Sequence, residues 1–216
     1  MVRPYRLRRL SARIGQGPET VYRAVSTDNQ PLLQQPMKWV RLQGAYRALA
    51  ECPTPRMAAA LAAAGVPNVA KVWTELAYEA VRQQIARELP SRLDSLYAFA
   101  DPFEALSFTE VTSGAHQVWE GEVPEGVTWA AVDMSAFGVV RPETPDPAGY
   151  AEAWRRATEQ ARRYWVPGDE IQVQEILVAG ELRLTRQVRL LPLLTELGLL
   201  QSDDRSRRAR RRSSGS

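Results

Sequence analysis

The chain has 216 residues, long enough for one domain with a sizeable core, and its 44% hydrophobic and 25% charged residues are ordinary for a globular protein. A single cysteine, Cys52, excludes an internal disulfide framework and a cysteine-built zinc or redox site, and a single histidine, His116, argues against a histidine-built metal centre, so no metal is expected. The net charge is only +3, and no apolar stretch approaches the ~20 residues of a membrane span, so the expectation is a cytoplasmic protein with no membrane partner.

Residues 1–18 form a basic arm: MVRPYRLRRLSAR carries five Arg and no acid. No apolar run follows it, so it does not read as a secretory signal. TVYRAVS then reads as a first strand with Val21, Arg23 and Val25 on one face and Tyr22 and Ala24 on the other. Residues 27–55 are rich in Gln and Pro and read as irregular, apart from a short helix around Trp39 to Ala50. PTPRMAAALAAAGVP is a helix opened by proline and closed at Gly65. A longer helix follows in PNVAKVWTELAYEAVRQQIARELP, with Val69, Val72, Trp73, Leu76, Ala80 and Ile85 near one face.

SRLDSLYAF is strand-like, and DPFEALSFTEVT is a helix with Asp101 at its N-cap and Pro102 at its first position. HQVWEGEV and VTWAAVDM alternate like strands about a PEG turn. DPAGYAEAWRRATEQARRYW is a well-marked helix capped by Asp146, with a stripe of Tyr150, Trp154, Ala157, Ala161 and Tyr164. EIQVQEILV and ELRLTRQVRLL flank a tight AG turn and read as a hairpin. LPLLTELGLL precedes an Arg-rich tail, residues 201–216, whose last twelve residues hold six Arg and no acid and are expected to be disordered. Removing the eleven terminal Arg from 28 basic residues leaves 17 against 25 acidic ones, so the body carries −8. The Arg-rich ends point to nucleic acid or an acidic protein as partner, or to a simple solubilising role.

This order is not a βαβ alternation, and no glycine-rich nucleotide loop is present. The expected architecture is α+β, a mixed or antiparallel sheet flanked by helices, over residues 19–200. In the last hairpin Glu175 shares a face with Ile171 and Val173, a carboxylate in an apolar row. If Val178 faces Glu181, Glu175 lies opposite Leu184 with Arg186 in diagonal reach, and the two would form a cross-strand ion pair. The alternative is a carboxylate held in a pocket for function.

VYRAVS, LYAFADPFEAL and QEILVAGELRLTRQVRLL resemble, in order and local context, the three signature segments of the ADP-ribosyltransferase superfold, the third being similar to that of poly(ADP-ribose) polymerases. PSRLDSLYAFADPFEA, Asp133-Met134 and Tyr164-Trp165 before Gly168 also resemble an uncharacterised bacterial family of ADP-ribosyltransferase-like proteins. The resemblance spans roughly residues 20–192 and implies a split sheet flanked by helices, with NAD as substrate. It implies that Glu175 is catalytic, stabilising an oxocarbenium-like transition state. Arg23, with Tyr22 beside it, would hold a ribose or phosphate of NAD; Tyr97 and Phe99 would stack on nicotinamide; Ser95 would hydrogen-bond nearby. Read without the resemblance, Tyr97 and Phe99 are core aromatics, Ser95 a turn cap, Arg23 a partner of a structural acid, Arg92 a solvated arginine or an anion ligand, and Asp133 an Asx cap. Transferases that modify arginine usually carry Glu or Gln two residues before the catalytic Glu. That position is Val173 here, with Gln174 adjacent, which leaves the acceptor open. The implied function is transfer of ADP-ribose to a protein or nucleic acid; the alternatives are an inactive binding protein on the same fold and an NAD-degrading, toxin-type enzyme.

Overall fold

The computed structural model describes residues 20–26, 44–111, 116–166 and 171–189. Both Arg-rich ends, the segment around Trp39, LPLLTELGLL and Gly168 lie outside them. The described chain is α+β, with six strands and five α-helices. The strands are β1 (Val21–Ser26), β2 (Leu96–Phe99), β3 (His116–Glu122), β4 (Thr128–Asp133), β5 (Gln174–Ala179) and β6 (Arg183–Val188). The helices are α1 (Ala45–Glu51), α2 (Pro55–Ala63), α3 (Val69–Ile85), α4 (Pro102–Val111) and α5 (Pro147–Trp165).

Local chemistry fixes the helix ends. Thr54 Oγ1 accepts from the Met57 amide at 3.2 Å at the start of α2, where Pro55 occupies the first turn. The same helix stops at Gly65, whose left-handed φ of 75° lets its amide and that of Val66 bond back to Ala62 and Leu61. Asp101 Oδ1 accepts from the Phe103 amide at 2.7 Å to start α4, and Asp146 Oδ1 from the Gly149 amide at 2.8 Å to start α5. Tyr150, Ala157, Ala161 and Tyr164 of α5 are buried as its stripe requires. Ile85 departs from the expected α3 stripe: as the last residue of its helix it is 39% exposed.

All strand pairings are antiparallel, in the order β4-β5-β2-β1-β3-β6. The ladders are uneven. β4-β5-β2 and β1-β3-β6 each pair over several residues, but β1 and β2 register only at Tyr22–Phe99, so the sheet is nearly divided into two three-stranded halves. Helices α3 and α5 cover one face of the first half through Tyr78, Val81, Ala161, Tyr164 and Trp165 against Ala130, Val132 and Leu177. The opposite face (Leu96, Ala98, Trp129, Ile176 and Val178) meets Val21 and Leu182 from the other half in a second core. Helix α4 packs Ala105 against Phe99 and Val118.

The expected β5–β6 hairpin is not formed. β5 lies between β4 and β2, whereas β6 pairs with β3 at the far edge. Three residues, Gly180–Leu182, link the halves, with Gly180 at φ 128° and Leu182 buried in the core between them. Glu175 therefore lies opposite Phe99 and Val132, not Leu184, and Arg186 pairs with Glu120 at 2.9 Å. Nor do Ile171 and Val173 share a strand face with Glu175: the strand begins at Gln174, and Val173 packs with the α4 core.

Candidate functional site

Glu175 sits near the start of β5, two residues before Leu177, so it points toward α3 and α5. It is 3% exposed. Arg92, on a short 3-10 turn leading into β2, is 4% exposed and donates from Nη1 to Glu175 Oε2 at 2.5 Å. The same nitrogen donates to the Tyr164 hydroxyl at 2.5 Å, and that hydroxyl donates to Glu175 Oε2, also at 2.5 Å. On its other edge Arg92 forms a bidentate pair with Glu75 of α3, from Nε at 3.0 Å and Nη2 at 3.3 Å. The guanidinium is boxed by the rings of Phe137, Tyr97 and Tyr164, at 4.0, 4.7 and 4.9 Å from their centroids. Both bonds to Glu175 converge on Oε2; Oε1 has no hydrogen-bond partner among the described residues.

Two carboxylates thus share one guanidinium away from water. Burial, with the like charge of Glu75, holds the Glu175 carboxyl above its ordinary range despite Arg92 and Tyr164. Although burial alone opposes its charge, the facing Tyr164, Glu175, Tyr97 and Glu75 keep Arg92 firmly protonated. A second carboxyl, Glu104 on α4, is pushed up to about 7 by burial, with Asp101 and Asp133 adding like charge. Asp133 itself is an Asx cap, its Oδ1 accepting from the Ser135 amide at 3.0 Å. No group of His, Cys, Asp and Glu suited to a metal ion occurs among the described residues, and no helix there is long and apolar enough to cross a membrane.

The residues singled out from the sequence are only partly assembled. Arg23 is buried and donates from Nη1 to the Tyr97 carbonyl at 3.1 Å, beside the break in the β1–β2 ladder. Among the described residues its partner is that carbonyl, not a structural acid. Tyr97 in turn donates its hydroxyl to the Arg92 carbonyl at 2.6 Å. Arg23, Tyr97 and Glu175 are therefore linked through Arg92 in a chain of contacts, without direct contact between Arg23 and Glu175. Tyr22 lies on the other face of β1 from Arg23 and packs, with Phe99, on the α4 core. Phe99 is 3% exposed and rests on Phe108 with ring centroids 5.4 Å apart. Ser95 is fully buried and donates to the Ser91 carbonyl at 2.6 Å, a turn contact.

Residues 43–189 match the family described as "Protein of unknown function (DUF2441)". The chain belongs to that family. The match runs from α1 through β6 and takes in Glu75, Arg92, Tyr97, Tyr164 and Glu175 but not Arg23, which precedes it. A comparison with curated proteins finds no match. Within the DUF2441 segment sequence reasoning missed Tyr164 as a partner of Glu175 and Glu75 as the second acid on Arg92, and it read Arg92 as a solvated arginine or an anion ligand. The only local trace was polar residues on apolar helix stripes, Glu75 between Trp73 and Ala77 and the Tyr164 hydroxyl on α5.

Proposed function

We propose that this protein is an NAD-dependent ADP-ribosyltransferase acting on a protein or nucleic acid. The near division of its sheet at β1–β2 supports a fold of the split-sheet ADP-ribosyltransferase kind. The observation that carries the reading is Glu175, whose Oε2 is fixed by Arg92 and Tyr164 while Oε1 keeps no partner among the described residues. A carboxylate oriented on a rigid strand with one oxygen spare can accept from a ribose hydroxyl and stabilise positive charge developing at the anomeric carbon. The bond from that carbon to the nicotinamide nitrogen breaks with its electron pair leaving on nicotinamide. An acceptor nucleophile then bonds to the anomeric carbon and loses its proton. Arg23 supplies positive charge for a phosphate or ribose, and the Arg-rich termini recruit an acidic macromolecule.

A second reading is favoured by one observation: Glu175 is only 3% exposed and is already matched by a guanidinium and a hydroxyl. On that reading the Glu75–Arg92–Glu175 cluster is structural, and the protein binds without catalysing. Incubation of the purified chain with NAD separates the two. The transferase reading predicts nicotinamide release that Glu175→Gln lowers by at least about a hundredfold. No release by either leaves the structural reading, and equal release by both removes Glu175 from the reaction and with it the transferase reading argued from it. Mass spectrometry of the products distinguishes an ADP-ribosylated acceptor from free ADP-ribose, the mark of an NAD-degrading enzyme.

A further inference from the structure

The spare oxygen of Glu175 has a cause outside the strand that carries it. An arginine facing a single carboxylate commonly turns its fork to engage both oxygens, because two parallel N–H···O bonds hold better than one. Arg92 meets Glu175 differently. Its Nη1 bonds Oε2 at 2.5 Å and also the Tyr164 hydroxyl, while Oε1 has no hydrogen-bond partner among the described residues. Nor is Oε1 sealed from solvent: the enclosed, unpartnered oxygens include Glu104 Oε2 but not Glu175 Oε1. The fork of Arg92 instead faces Glu75 on α3, which takes Nε at 3.0 Å and Nη2 at 3.3 Å. Glu75 is 2% exposed, and Arg92 is its only hydrogen-bond partner among the described residues. The rings of Phe137, Tyr97 and Tyr164 surround the guanidinium, so the two acids decide how it turns.

Burial keeps the hydroxyls of Tyr78, Tyr97 and Tyr164 protonated, so the charge here is carried by one guanidinium and two carboxylates. Arg92 and Glu175 alone would balance. Glu75 is the surplus acid, and burying a surplus charge costs stability. What it provides is geometric. We propose that Glu75 is a positioning residue: by occupying the Nε–Nη2 edge of Arg92 it keeps the guanidinium from closing on both oxygens of Glu175, and so leaves Oε1 free to accept from the substrate. Glu75 touches neither substrate nor reacting atoms and acts through Arg92. Its negative charge, added to burial, also holds the Glu175 carboxyl above its ordinary range, against the opposing pull of Arg92 and Tyr164. That the substrate is NAD rests on the reading above; the hold of Glu75 on Arg92 and Glu175 does not.

The test follows the side-chain carboxyl resonance of Glu175 across pH in the full chain labelled with carbon-13 at glutamate, the resonance being identified by its loss in Glu175→Gln. In Glu75→Gln the fork is released and a like charge removed, so the Glu175 midpoint is expected to fall by at least about one pH unit. Glu75→Met, which offers no oxygen at all, should lower it at least as far and serves if Glu75→Gln does not fold. Glu79→Gln, one turn along the same helix, removes an acid that pairs with Arg82 and should leave the midpoint where it is. A crystal structure of the folded Glu75 variant should show Arg92 bonded to both oxygens of Glu175. Nicotinamide release from NAD should fall in that variant by about tenfold or more in kcat, with KM within about twofold, because the oxygen lost acts on charge that develops in the transition state. An unmoved midpoint overturns the proposal, as does Arg92 still bonded to Oε2 alone, or release at the wild-type rate. A lowered midpoint and a closed fork in a protein that releases no nicotinamide uphold the hold of Glu75 on Glu175 and remove the NAD reading.

Discussion

Glu75 and Glu175 draw on one guanidinium, and the consequences are measurable one residue at a time. Arg92→Met would leave two carboxylates at 2–3% exposure with no counter-charge, a loss of about 3–5 kcal/mol in chemical denaturation. Adding Glu75→Gln and Glu175→Gln to that variant should restore most of it, because what destabilises is unpaired charge, not lost volume. Stability should also depend on pH in a direction set by burial. Glu175 and Glu104 both hold their protons more tightly when folded than unfolded. Their contribution is therefore complete below the ordinary carboxylate range and is lost as pH rises through the folded values, which for Glu104 means between 4.5 and about 7. Denaturation midpoints across that window should fall less with pH in Glu104→Gln and in Glu175→Gln than in wild type. An unchanged slope in both would show that these carboxyls titrate normally.

Elements differ in how far their own sequence specifies them. Helices α2, α4 and α5 were legible because their end signals are local: Pro55 and Gly65 bound α2, and Asp101 and Asp146 lie within three residues of the amides they cap in α4 and α5. The pairing of β6 was not. The AG turn between β5 and β6 has hairpin composition, but the choice of β3 over β5 as partner is made by apolar faces distant in sequence, with Leu182 drawn into the core between the half-sheets. Arg92 was hidden for the same reason: its acids lie 17 and 83 residues away, so PSRLD carries no local sign of burial. Glu175 was conspicuous as an acid in an apolar run, yet its partner could not be named from that run. Packing at element ends supplies a further prediction. A Cβ at Gly149 in the first turn of α5 would lie 2.1 Å from the Thr144 carbonyl oxygen and 2.6 Å from its Oγ1. Gly149→Ala should cost at least about 1–3 kcal/mol. Gly138→Ala, where a Cβ meets nothing within 4 Å, should be neutral or slightly stabilising in the same melting experiment.

The whole molecule combines an acidic body with Arg-rich ends. If those ends recruit nucleic acid, deleting residues 205–216 removes six Arg and should lower the slope of log affinity against log salt for duplex DNA by roughly 5. A slope that does not change assigns the tail a solubilising role. The near division of the sheet has another consequence. One half is built from the second, fourth and fifth strands and the other from the first, third and sixth, so the chain crosses between them repeatedly and no single cut separates them. Neither half can be expressed, excised or melted as an autonomous fragment. Unfolding should be one cooperative event in which near- and far-ultraviolet signals vanish together, although the sheet looks like two.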